Sequence, residues 1–544
     1  MTAGRTMLDL VDVPAVSTIQ PVDALSPLYL TSFAKARERS YTHVIVGGGC
    51  VGTTVADALL RRDRKARVLV LEQGDFLLPE HVQDVAPVFQ PLMTTAVATP
   101  WSYVDGPDQD GYGLTPQVPF LGGRALFWST WIPQPAPDQM EGWPESVLDG
   151  LAVEWPGAQA VLGATSAKDM GPEFDVLHPR LRRTIVEAAR QGRVPGLLRY
   201  PDESAIEGRL ACAATRSVLH YRKFAPVGLL LELARRQPDR LNLVTGCQVE
   251  GLEVTESEVR AMRTNCGELD LRGATLILAL GTVETTGLLL GSAADRISPL
   301  TGRNLGGHVA TWFTMRIPRE HYPDLPDRLQ TSVLYLDGAH RDRQFHIHFM
   351  AASNPDPSSA LDDLYRLIPD SFDQDFLAEL ADPRYLGFMI HALGELRGVK
   401  SDDPPSSVTV RDGKTYVHIA PTPADMDLWM AMDQTCGSLV DLLARGASPE
   451  YWDPSTEHWT GTLPAARHKK LLVHETGTLW MGESAGTSVT DCYGRVRGLD
   501  RTYAAGPAIF PSCGSWNPTL TAVALGNRLA AHLALATSNR EENR

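Results

Sequence analysis

The chain has 544 residues, 43% of them hydrophobic and 21% charged, with a formal net charge of −15 at pH 7. That length predicts two or three interleaved domains with material for a large core. The acidic balance and the lack of any basic run argue against a nucleic-acid partner. The apolar runs fall well short of the ~18–20 residues needed to span a bilayer, which argues against a membrane partner.

The first thirty residues carry acids and prolines where a secretory signal needs an unbroken apolar stretch. Residues 1–40 are expected to form an extension over the surface or a neighbouring subunit. The seven cysteines (50, 212, 247, 266, 436, 492, 513) are scattered, odd in number and without a CxxC pair. They read as reduced and buried, which points to the cytoplasm.

From Thr42 the pattern sharpens. "HVIV" (43–46) predicts a strand, Gly47, Gly49 and Gly52 fit GxGxxG, a helix is expected over 51–62, and "RVLVLE" (67–72) predicts a second strand. Gly47 permits the tight turn, Gly49 the approach of backbone to a pyrophosphate, and Gly52 close helix–sheet packing. The helix start, at Cys50 and Val51, offers unpaired N–H groups to phosphates. The strand ends on an acid, Glu72, placed to accept hydrogen bonds from ribose hydroxyls and to repel a 2′-phosphate. The unit therefore predicts an adenine dinucleotide, FAD or NAD.

Three later tracts follow: "PFLGGRALFWSTWIP" (119–133); "LILALGTVETTGLLLGS" (276–292) with "GRNLGGHVATWF" (302–313); and "VHETGTLWMG" (473–482) with "YAAGPAIFPSCGSWNPTLTAVALGNRLAAHL" (503–533). Together with the first unit, and in this order, they resemble the glucose–methanol–choline (GMC) oxidoreductases, which carry FAD. The pyranose oxidase-like branch is the nearest in motif, with a Trp soon after a glycine pair and Asn-Pro-Thr-Leu-Thr at 517–521. The resemblance implies FAD contacts at Gly122, Gly123, Arg124, Phe127, Trp128, Ser129, Val249, Gly281, Ala505, Gly506, Pro518 and Thr519. Where pyranose oxidases bear a His bonded to the flavin, this chain has Phe127, so the FAD is expected to be noncovalent.

By the same resemblance His474 is the catalytic histidine and Asn517 its partner. A neutral imidazole, with an ordinary pKa of about 6.5, suits removal of a hydroxyl proton while hydride leaves carbon. An amide can orient the substrate oxygen without competing for that proton. Read without the family, His474 would be a structural histidine and Asn517 a helix cap.

"QFHIHF" (344–349) puts His346 and His348 on one face of a strand, readable as a metal pair, as a substrate-cavity wall, or as a solvent-facing or hydrogen-bonded strand. Residues 356–385 are acidic and helical, a solvated face more readily than a lid or oligomer contact. Residues 425–446 have core-facing helical spacing.

The architecture expected is α/β. An FAD-binding Rossmann-like domain from 41–136, 200–312 and 466–544 interleaves with a cap segment (137–199) and a substrate domain on a mixed or antiparallel sheet (313–465). The expected activity is FAD-dependent oxidation of an alcohol, on a sugar, a glycoside or a glycosylated natural product. The acceptor is oxygen, a quinone or another carrier, and a homo-oligomer is possible. The rivals are a GMC-fold lyase or isomerase without net redox change, a tailoring oxidase of a non-sugar alcohol, and a nonenzymatic flavoprotein or partner-binding subunit.

Overall fold

A computed structural model describes residues 29–85, 112–115, 117–215, 221–371 and 374–542. Two sheets organise them. The first is wholly parallel, with strands in the spatial order Thr502–Ala504, Thr275–Leu278, His43–Val46, Val68–Leu71 and Leu241–Val244. Sequences such as VLVL and TLIL are apolar on both faces because both are covered, so these strands are buried nearly throughout. One face is covered by the helices at 50–62 and 226–236, the other in a core shared with the antiparallel strands Val249–Thr255, Glu258–Thr264 and Gly267–Asp270. The helix Cys50–Arg62 and the carboxy-terminal helix Thr519–Glu542 pack against one another beside this sheet.

The second sheet has eight strands and is mainly antiparallel. Its centre runs Gln330–His340, Arg343–Ser353, Tyr385–Leu396 and Gly306–Pro318. The strand His468–Thr476 pairs with Gly306–Pro318. The helix Pro423–Ala444 lies on this sheet, burying Trp429, Met432, Cys436, Leu439, Val440 and Leu443 as its spacing predicted. Register sets what one face displays. Tyr335 stands opposite His348, His348 opposite His391, and His391 opposite Trp312, a row of rings across four strands.

Several expectations need correction. The strand Gly306–Pro318 crosses the expected boundary at 312, and His468–Thr476, expected in the FAD-binding part, belongs to the large sheet. Arg209–Ala214 pairs with Ala164–Ser166 of the expected cap segment and with Tyr221–Lys223, rather than with the parallel sheet. The helices at 357–367 and 374–380 are not simply solvated, since Leu364, Tyr365, Ile368, Leu377 and Leu380 are buried in a core with Trp131. Cys266 is exposed and Cys50 and Cys492 are half-buried. Of the amino-terminal extension, residues 1–28 lie outside the described residues, and Phe33–Glu38 forms a helix that buries Ala36. Among the described residues, no helix is long and apolar enough to cross a membrane.

Candidate active site

At the carboxyl ends of the parallel strands a cleft opens. Gly47 turns with φ +108°, where a Cβ would come within 2.4 Å of the Ala279 carbonyl oxygen. At Gly52 a Cβ would stand 2.0 Å from the Gly47 oxygen, so the helix lies against the turn itself. Gly49 and Gly506 instead have nearly free space on their Cβ side, with nearest neighbours at 3.9 and 3.8 Å. The helix at Cys50 begins with no side-chain cap, leaving its first N–H groups for a ligand. Glu72 accepts the Gly48 and Gly74 N–H groups at 2.8 and 3.2 Å, and burial pushes it up to about 7 against those bonds.

The cleft is lined by Gly47, Gly49, Cys50, Val51, Glu72, Gly123, Arg124, Trp128, Val249, Gly281, Ala505, Gly506 and Thr519. Five expected contacts stand back from it. Gly52 is beneath the turn, Gly122 bridges Gly49, and Phe127 packs into the core under the first sheet. Ser129 and Pro518 flank the lining without joining it. Arg124 pairs with Glu475 and donates to the Thr115 carbonyl at 2.8 Å. Glu284 also lines the cleft, and burial pushes it up to about 8. Glu284 Oε1 and Glu475 Oε2 have no protein partner. A cradle of bare backbone, an uncapped helix start and unmet carboxylate oxygens fit the phosphates and hydroxyls of an adenine dinucleotide.

Beside the cleft several imidazoles cluster. His474 sits next to Glu475, at φ +58°, a left-handed conformation rare for residues other than glycine. The pairing explains it. Gly306 is opposite Thr476 and His308 opposite Val473, so two steps on one strand face three on the other. The resulting bulge turns His474 out of the strand's alternation. Its Nδ1 is 2.9 Å from His308 Nδ1, and its Nε2 is 3.4 Å from Asn517 Nδ2. Burial, reinforced by His308, His348 and Arg124, holds His474 well below the ordinary imidazole range.

Asn517 does not cap the helix that follows. Its Oδ1 lies 2.9 Å from His348 Nε2. His348 Nδ1 is 2.9 Å from Asp370, which also receives His391 Nδ1 at 3.2 Å and the Trp131 indole N–H at 3.1 Å. Burial alone would raise the Asp370 carboxyl, but His348 and His391 outweigh it and hold it well below the carboxylate range. His346 and His348 are therefore buried and hydrogen-bonded, 3.2 Å apart, rather than solvent-facing. No metal-ligating cluster is present among the described residues.

The loop bearing Asp370 is fastened from the nucleotide side. Gln83 donates to the carbonyls of Tyr365, Ile368 and Ser371 at 2.5, 2.8 and 3.0 Å, and accepts from the buried Lys223. His81 donates to the carbonyl of Trp128 at 2.8 Å.

Sequence reasoning brought out His474, Asn517 and the His346/His348 pair, and missed His308, Asp370, His391 and Trp131. His308 stands inside a tract already singled out, "GRNLGGHVATWF", while Asp370 lies in a loop with no motif around it.

Known proteins resemble this chain in sequence and in fold. Residues 400–526 match the GMC oxidoreductase family. The chain is 24% identical to paromamine 6'-oxidase of Streptomyces fradiae, covering 91% of this chain and 92% of that protein. Among solved structures it resembles pyridoxine 4-oxidase from Mesorbium loti, with a TM-score of 0.58 and 17% identity over 91% of this chain and 99% of that one. It also resembles formate oxidase of Aspergillus oryzae RIB40, with a TM-score of 0.57 and 14% identity over 92% and 99%. With the nucleotide cleft and the His474–Asn517 pair in view, the chain is similar to the GMC oxidoreductases, through the match over residues 400–526 and a fold shared with these solved structures.

Proposed function

We propose that the protein oxidises a carbinol of a small molecule, on a sugar or glycoside, using noncovalently held FAD. The observation that carries this reading is the meeting of His474 Nε2 and the Asn517 amide at 3.4 Å, next to the residue pair Arg124–Glu475 that lines the cleft. The glycine cradle at 47–52 and the helix start at Cys50 would hold the FAD pyrophosphate, with Glu72 toward the ribose. Bound FAD supplies the acceptor for the two electrons leaving the carbinol carbon.

The chain's own residues handle the proton. His474 is kept neutral by burial, so its free nitrogen takes the hydroxyl proton, a role worth about 10²–10⁴-fold in rate. The Asn517 amide orients the oxygen beside it. His308, His346 and His348 are buried, so the reacting group meets fixed dipoles in place of water. Phe127 offers no nucleophile to a flavin, and its ring is committed to the core. The sugar assignment draws on the relative named for oxidising paromamine at its 6′ position and on the pyranose oxidase-like motifs.

The test is anaerobic addition of monosaccharides, glycosides and simple alcohols to the yellow protein, followed by air or dye. Bleaching by a carbinol is expected, with reoxidation identifying the acceptor. A flavin that stays yellow with every alcohol while the alcohol is rearranged or cleaved would favour a lyase. Acid precipitation is expected to leave the flavin in the supernatant.

A further inference from the structure

Hydrogen-bond direction in the imidazole cluster is set from its ends. The Gly514 carbonyl has no proton to give, so His308 Nε2, 3.0 Å from it, carries the hydrogen. Burial pushes His308 down to about 4, so near neutral pH the ring has one proton and its Nδ1 is a bare lone pair. His474 Nδ1, 2.9 Å away, is then the donor. His474 is likewise neutral, which leaves its Nε2 bare. That nitrogen faces Asn517, and only an amide N–H can meet a lone pair there. The amide oxygen therefore points the other way, to His348 Nε2 at 2.9 Å. His348 is left between two acceptors, Asn517 Oδ1 and the Asp370 carboxylate.

We infer that His308 and His348 are positioning residues for the oxidation proposed above. His308 locks His474 in the tautomer whose Nε2 can accept a proton. His348, with hydrogen on both nitrogens and Asp370 as counter-ion, turns the Asn517 amide so that its N–H faces the reacting oxygen.

The surroundings suit a charged ring at His348. Trp131 lies flat on it, with centroids 4.4 Å apart and planes 14° from parallel, and also donates to Asp370. His391 donates to the same carboxylate. His346, kept neutral by burial, presents its Nε2 to the His348 proton at 3.2 Å. Tyr335, stacked on His346 at 4.6 Å, has its phenol pushed well above the ordinary range by burial and stays uncharged. The buried Lys223 interacts electrostatically with Asp370 and favours the ionised carboxylate.

The holoenzyme labelled with ¹⁵N-histidine, with the rings assigned by substitution, reads these protons directly by NMR. The expected result at pH 7 is hydrogen on both nitrogens of His348 and on Nδ1 alone of His474. In Asp370→Asn, His348 is expected to lose one of its two. In His308→Leu the His474 signal is expected to split between tautomers and flavin reduction to slow about 10-fold or more. His308→Asn, which keeps an acceptor oxygen where Nδ1 stood, is expected to restore a single tautomer. Hydrogen on His474 Nε2, or a bare His348 Nε2, in the unsubstituted protein would overturn the inference. Because these signals need no substrate, a flavin that no alcohol bleaches would sink the oxidation reading while leaving the proton placement standing.

Discussion

The nucleotide cleft and the imidazole cluster lie side by side but are built from different material. The cleft is mostly backbone, made of glycines, a helix start and strand ends drawn largely from contiguous motifs. The cluster is mostly side chain. Its groups come from strands at 306–318, 343–353, 385–396 and 468–476, and from loops at 370 and 517. A backbone site is broken by adding atoms. A side-chain site is broken by removing protons or partners.

The largest effect separating the two should come from His474→Ala. It is expected to lower the rate of flavin reduction about 10²–10⁴-fold while FAD content stays unchanged, as measured by stopped-flow absorbance and flavin-to-protein ratio. Asn517→Ala should follow, at about 10²-fold for loss of one oriented donor, again with the cofactor retained. Gly49→Val inverts the pattern. Its branched side chain would fill the space meant for the pyrophosphate, so FAD affinity is expected to fall at least about 10-fold, measured by fluorescence titration. The added Cβ itself stays 3.9 Å from its nearest non-adjacent neighbour, the Gly122 carbonyl oxygen.

Acid should distinguish the regions more gently. His308 titrates near 4 when folded, because of burial, but near 6.5 when unfolded. The unfolded chain takes up the proton first as pH falls. The contribution of His308 is thus complete above about pH 6.5 and is lost as pH drops toward 4, amounting to about 3 kcal/mol. Glu284 in the cleft has the opposite sign. Its folded value is raised to about 8 by burial, so the stability it contributes is present at low pH and lost as pH rises through 8. Urea unfolding of the flavin-free protein across pH should show His308→Asn flattening the loss below about pH 6.5, and Glu284→Gln removing the opposing loss between about pH 4.5 and 8.

This contrast also explains what could be read from the residues in order. The turn, helix and acid of 43–72 answer to local constraints. Only glycine tolerates φ +108° at Gly47 or a contact of 2.0 Å at Gly52, so the chemistry is written in consecutive letters. Thirteen of the eighteen expected cofactor contacts reach the cleft lining, and those set back, such as Phe127 and Ser129, differ from their neighbours only in which way a short turn points them. His348 and His391 become partners of one carboxylate only through strand register, and Asp370 only because Gln83 ties its loop in place. Nothing within a few residues of Asp370 records either fact. The bulge at His474 is equally silent, since it arises from a mismatch between two strands far apart in sequence.

The Gln83 clasp has a mechanical consequence. From the Trp128 carbonyl at the cleft, through His81 to Gln83 and on to the loop that carries Asp370, every link is a buried or half-buried hydrogen bond. The Trp128 main chain at the cleft and the loop carrying Asp370 are therefore fastened to one another, so the position of one constrains the other.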